Sequence, residues 1–178
     1  MTSSAYGGRQ VGMVPGTLRG YRFWRFDDVK MLLFPAHVSR CGAWAYGVNV
    51  AMCDRYFLPT EGRDDHSRFG PQAPPRADCG CGIYATYDHL TYRSHLPKFW
   101  INYGPVPSQL VHGSIKASGR IILGEKGFRA EKAEVEALWG WRSQLAALAY
   151  EVPWFRTRRQ FLKEFPPNDV SNLLEEKQ

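Results

Sequence analysis

The 178-residue sequence has no apolar run near the roughly 18 to 20 residues that a membrane span requires. Its opening, "MTSSAYGGRQ", lacks the basic start and apolar stretch of a secretion signal. Both absences lead us to expect a cytoplasmic protein with no membrane partner. Cysteine is sparse, at four residues. In a reducing compartment, Cys41, Cys53, Cys79 and Cys81 are then metal ligands, reactive thiols or buried fillers rather than disulfides. The G-x-x-x-x-G-K-[ST] phosphate loop, the H-E-x-x-H zinc helix and the G-x-S-x-G elbow are all missing, as are internal repeats and low-complexity tracts. These absences remove the common enzyme fingerprints.

What is present is apolar and basic. Hydrophobic residues make up 44% and aromatics 14%, too much apolar surface for a chain to leave in water, so a folded core is expected. The length suits a single domain. We expect a flexible arm over residues 1–16, one domain over residues 17–168 and a tail over residues 169–178. The net charge of +6 points to a polyanionic partner. Its distribution is uneven. Residues 1–40 carry six Lys/Arg against two acids, residues 41–95 five against six, and residues 96–178 twelve against nine.

Local patterns give the elements. Tyr21, Phe23 and Trp24 precede an Asp27-Asp28 turn and the apolar run Val29 to Phe34, which predicts two paired strands. "GVNVAMC" and "GIYATY" read as strands, the Pro/Gly-rich residues 59–78 as a long loop, and "DHLTYRSHL" as a short helix capped by Asp88. "QLVHGSIKASGRIILGEKGFRAE" predicts two or three antiparallel strands. From Glu134, the spacing of Val135, Leu138, Leu145 and Leu148 predicts an amphipathic helix ending before Pro153, and "WFRTRRQFLKEF" a second helix. The fold class expected is α+β, a small antiparallel sheet or partly closed barrel with flanking helices.

Three chemical features stand out. Cys79 and Cys81 are one residue apart, so in an extended segment their thiols share a face. With Cys53 and His66 they offer three sulfurs and one imidazole, a set that suits one structural zinc. The competing reading is that the cysteines fill a core. "LRGYRFWRF" interleaves Arg19, Arg22 and Arg25 with aromatics, and "PWFRTRRQFLK" repeats the mixture with Arg156, Arg158, Arg159 and Lys163. Guanidinium groups contact phosphates and exposed rings stack on bases, so these seven residues are the candidate nucleic-acid contacts. A cysteine nucleophile with His37, His66 or His89 as base is a third feature, without a local signature. The paired acids Asp27-Asp28 and Asp64-Asp65 read as solvated turn caps.

Taken together, "GTLRGYRFWRF", "GVNVAMC", "QAPPRADCGCGIYAT" and "VHGSIKASGRIILGEKGFRAEKAEVEAL" resemble a family of small uncharacterised proteins of actinobacteria and their phages. That family carries a C-x-C-G-I-Y-A element followed by a G-R-V, G-Y-R-A-E element. Its H-x-A-P appears here as Pro71-Gln72-Ala73-Pro74. The resemblance implies a phage or accessory protein and no particular reaction. The Gly-punctuated middle also resembles PUA-like small barrels, some of which read RNA or modified bases, with Trp24, Trp44 and Trp100 as candidate pocket walls. The resulting expectation is a non-enzymatic binding protein whose partner is nucleic acid or a nucleoprotein. The alternative is a host protein held through an aromatic patch, and the third reading is a cysteine- or zinc-dependent enzyme.

Overall fold

The computed structural model describes residues 12–35, 43–51, 75, 81–90 and 110–170. Among the described residues seven strands join in one sheet: β1 (Gly12–Asp27), β2 (Leu32–Pro35), β3 (Asn49–Val50), β4 (Ile83–Thr86), β5 (Leu110–Leu123), β6 (Gly127–Trp139) and β7 (Trp154–Phe155). A 3-10 turn over Trp141–Ser143 leads into α1 (Gln144–Ala149), and α2 (Arg158–Glu164) follows β7. All described strand pairs are antiparallel except β6 with β7. The fold is α+β.

The local chemistry of the turns explains the hairpins. Asp27 Oδ1 accepts the backbone N–H groups of Val29 (3.2 Å) and Lys30 (2.9 Å), which closes the β1–β2 turn as an Asx cap. β5 and β6 are joined at Gly124, whose N–H donates to the Gly127 carbonyl at 2.8 Å. β1 runs antiparallel to β5 from Gly12 opposite Leu123 to Arg25 opposite Leu110. β4 lies between β6 and β1, so hydrogen bonds pass from β1 to β5, β6, β4 and back to β1. The return contact is a single registered pair, Tyr21 with Thr86, which leaves a curled sheet rather than a barrel. Two glycines make room for β4. A Cβ on Gly127 would stand 2.2 Å from the Ala85 carbonyl oxygen, and one on Gly20 would stand 2.4 Å from the Ala85 Cβ.

Burial alternates along β1. Leu18, Trp24 and Phe26 enter the main core with Leu33, Ile115, Phe128 and Leu138, whereas Tyr21 turns to the opposite face and joins Ala137 and Phe161 in a second cluster. Each fully buried Leu, Ile or Phe contributes about 1.5 to 3 kcal/mol by leaving water.

Two expectations are corrected. The segment read as a helix from Glu134 is strand through Trp139, and helix occurs only at Gln144–Ala149. The cause is a β-bulge. Ser114 pairs with Ala137 and Ile115 with Val135, so Glu136 is an extra residue that shifts the phase of β6. Val135 and Leu138, three apart, thereby both reach the main core and imitate a helical spacing. β1 begins at Gly12 and pairs with β5 from that residue. Toward the C-terminus, Trp154–Phe155 pairs in parallel with β6, so the second helix starts only at Arg158.

Candidate functional site

The outer face of β1, β5 and β6 is where the predicted side chains and the second cluster meet. Phe23, His112 and Trp139 occupy mutually registered positions on these three strands, Phe23 opposite His112 and His112 opposite Trp139. Registered neighbours project to the same side of a sheet. The rings accordingly stand in a row, with centroids 4.2 Å apart for Phe23 and His112 and 4.8 Å for His112 and Trp139. Tyr21 lies on the same face, 6.2 Å from the His89 ring and 6.0 Å from Phe161.

α2 lies across this face. Thr157 accepts the Gln160 N–H at 3.3 Å, and the Gln160 side chain accepts the Thr157 N–H at 3.3 Å, a reciprocal cap that starts the helix. Phe161 is fully buried against Tyr21, Trp139, Phe155 and Phe165. With that residue pinned inward, Arg158, Arg159 and Lys163 face solvent, as does Arg156 just before the helix. Among the described residues none of these four cations has an ion-pair partner. Between α2 and the ring row is a small cleft whose lining includes Tyr21, Phe23, His89, His112, Trp139 and Arg158. No lining residue is acidic.

The three N-terminal arginines are placed differently. Arg19 grips Glu136 with two hydrogen bonds, Nε to Oε2 at 2.6 Å and Nη2 to Oε1 at 2.7 Å, and donates from Nη1 to the Pro166 carbonyl at 3.1 Å. The hydrogen bond to Glu136 raises its pKa above the ordinary arginine value, against the opposing effect of burial. Its guanidinium also covers the Phe165 ring at 5.2 Å. Arg19 therefore clamps the chain after α2 to the sheet. Arg22 donates to the Tyr84 carbonyl at 2.9 Å and lies 4.8 Å from the Trp44 ring centroid. Arg25 lies over Phe34 at 5.5 Å and is half-buried. Tyr21, between these arginines, donates its hydroxyl to the Phe165 carbonyl at 2.8 Å, and burial pushes its phenol well upward.

Of the four residues read as zinc ligands, Cys53, His66 and Cys79 lie outside the described residues, as do His37 and Trp100. Cys81 is buried, and its carbonyl accepts a hydrogen bond from Arg129 at 3.1 Å. Among the described residues no three His, Cys, Asp or Glu side chains gather at a point. Trp24 and Trp44 are core residues, with ring centroids 5.3 Å apart, and are not among the residues that line this cleft. The sequence reading missed His112 and Trp139. His112 lies in a segment read as strand and Trp139 in one read as helix, and only the register of three strands brings their rings together.

Among the described residues no helix is long and apolar enough to cross a membrane. Comparison with family models, curated proteins and solved structures finds no match to this chain.

Proposed function

We propose that this protein binds nucleic acid across the face formed by α2 and the adjoining aromatic cleft. The observation that carries this reading is the position of Arg158, which belongs both to a group of four solvent-exposed cations and to the wall of a cleft lined by aromatic rings. Cations without carboxylate partners are available to phosphates, and nearby rings supply the flat apolar contact that bases use. The net charge of +6 has the matching sign. Arg19 serves the site indirectly by anchoring the segment that follows α2. On this reading the role is one of binding, consistent with an accessory protein of the phage type.

The experiment is replacement of Arg156, Arg158 and Arg159 together by alanine. All three are exposed, so thermal stability should stay unchanged. Affinity for an oligonucleotide should fall by at least about tenfold, since phosphate neutralisation supplies most of the non-specific binding energy. An unchanged affinity would overturn the proposal.

A second reading, a protein partner held by an apolar patch, is favoured by one observation. Trp141, Leu145 and Leu148 are spaced by four and three and are 71%, 45% and 74% exposed. Salt separates the two readings, because an apolar interface keeps its affinity as ionic strength rises.

A further inference from the structure

The 3-10 turn and α1 turn Ser143, Ala146 and Ala147 inward and leave Trp141, Leu145 and Leu148 as an exposed apolar ridge. We propose that this ridge pairs with the same ridge on a second copy of the chain, the two helices running antiparallel about a two-fold axis. The inference rests on the reading of the ridge as a protein contact and is independent of phosphate contact by α2.

What selects a second copy is the order of side chains along the ridge. Arg142, Leu145, Leu148 and Glu151 follow one another at intervals of three, with a cation at one end, an acid at the other and two leucines between. A two-fold axis midway between Leu145 and Leu148 reverses that order. It sets Leu145 of each copy against Leu148 of the other and brings Arg142 of each to the end that holds Glu151 of the other, so every contact is made twice, as an isologous interface requires. A parallel pairing would instead set like charges together, which opposes association. Both charged residues are exposed, and among the described residues neither has an ion-pair partner. Trp141 lies beneath the Arg142 guanidinium, 4.6 Å from ring centroid to carbon, and extends the apolar contact past the leucines. Tryptophan and arginine are the side chains that most often dominate such contacts. The patch is small, below the roughly 1,200 Å² of total surface that stable complexes bury, so the pair should form reversibly.

Sedimentation equilibrium of the full chain at rising concentration tests this. The weight-average mass should climb from 20.3 kDa toward twice that value. Leu148→Gln changes an exposed side chain, so it should leave thermal stability unchanged while raising the dissociation constant at least about tenfold. Arg142→Glu and Glu151→Arg should each raise it at least about threefold, because each variant sets like charges against one another at both ends of the pair. Mixed in equal amounts, these two charge variants should associate about as tightly as the native chain, since a cation then meets an acid at both ends.

A monomer at every concentration would overturn the second copy as occupant and leave the ridge to a different protein. Self-association that Leu148→Gln does not weaken would overturn the ridge as a contact surface. Charge variants that weaken the pair and do not restore it on mixing would overturn the antiparallel arrangement.

Discussion

Arg19 and Arg158 are the same residue type with opposite uses, and the difference lies in what stands opposite each. Arg19 meets the bulged Glu136 and makes a two-pronged bond that is largely shielded from water. Arg158 lines the cleft that aromatic residues also line, and is exposed to solvent. Tyrosines show the same dependence on surroundings. Tyr87 is buried, donates to the Gly124 carbonyl at 2.9 Å, and has its phenol pushed up from 10.0 to about 12 by loss of solvation. Tyr21 and Tyr150 shift in the same direction for the same reason. A raised folded-state pKa means that the native protein holds the proton where the unfolded chain releases it. Stability is then complete below about pH 10 and falls as pH climbs from 10 through 12, by on the order of 2 kcal/mol for Tyr87. Urea unfolding across this range should show the decline, and Tyr87→Phe should reduce it. A flat profile for the native sequence would contradict burial of these phenols.

At the scale of elements, the cap on α2 links stability to the proposed function. A seven-residue helix is too short to persist alone, since isolated helices need about 12 to 15 residues in water. What holds α2 is Phe161 on one side and the Thr157–Gln160 capping box at its start. Thr157→Ala should cost about 1 kcal/mol and speed amide hydrogen exchange across residues 158–164 about fivefold. Exchange that does not change would show that packing against the sheet, rather than the capping box, fixes the helix.

This helix was legible in the sequence because its signals are local: apolar Phe161, Leu162 and Phe165 to one side, Arg159 and Lys163 to another, and a following Pro pair. The β1–β2 hairpin was legible for the same reason, through Asp27 and the apolar runs on either side. β6 was misread because the bulge at Glu136 depends on β5. The closure of β4 onto β1 was invisible because it depends on Gly20, Gly127 and Ala85, which are distant in sequence. The cleft was hidden for the same reason, since no string contains Phe23, His112, Trp139 and Arg158 together.

For the molecule as a whole, the question is how many of seven basic residues can meet phosphates. Counted along the chain, Arg19, Arg22, Arg25, Arg156, Arg158, Arg159 and Lys163 are equivalent candidates. In the fold, Arg19 is paired with Glu136, Arg22 is held by the Tyr84 carbonyl and Trp44, and Arg25 packs on Phe34. Four remain exposed, and of these Arg158 lines the cleft. The two counts give different salt dependences. For a single strand, log K falls against log salt with a slope of about −0.7 per neutralised phosphate, so four contacts give about −2.8 and seven about −4.9. Between 50 and 200 mM salt, affinity should therefore drop about 50-fold rather than about 900-fold. With Arg156, Arg158 and Arg159 replaced, the slope should shrink to about −0.7, the contribution of Lys163 alone. A slope near −5 in the native protein would mean that the β1 arginines leave their partners to reach the strand. A slope near zero would move the interface to the Trp141, Leu145 and Leu148 ridge, where burial of apolar surface rather than release of counterions supplies the affinity.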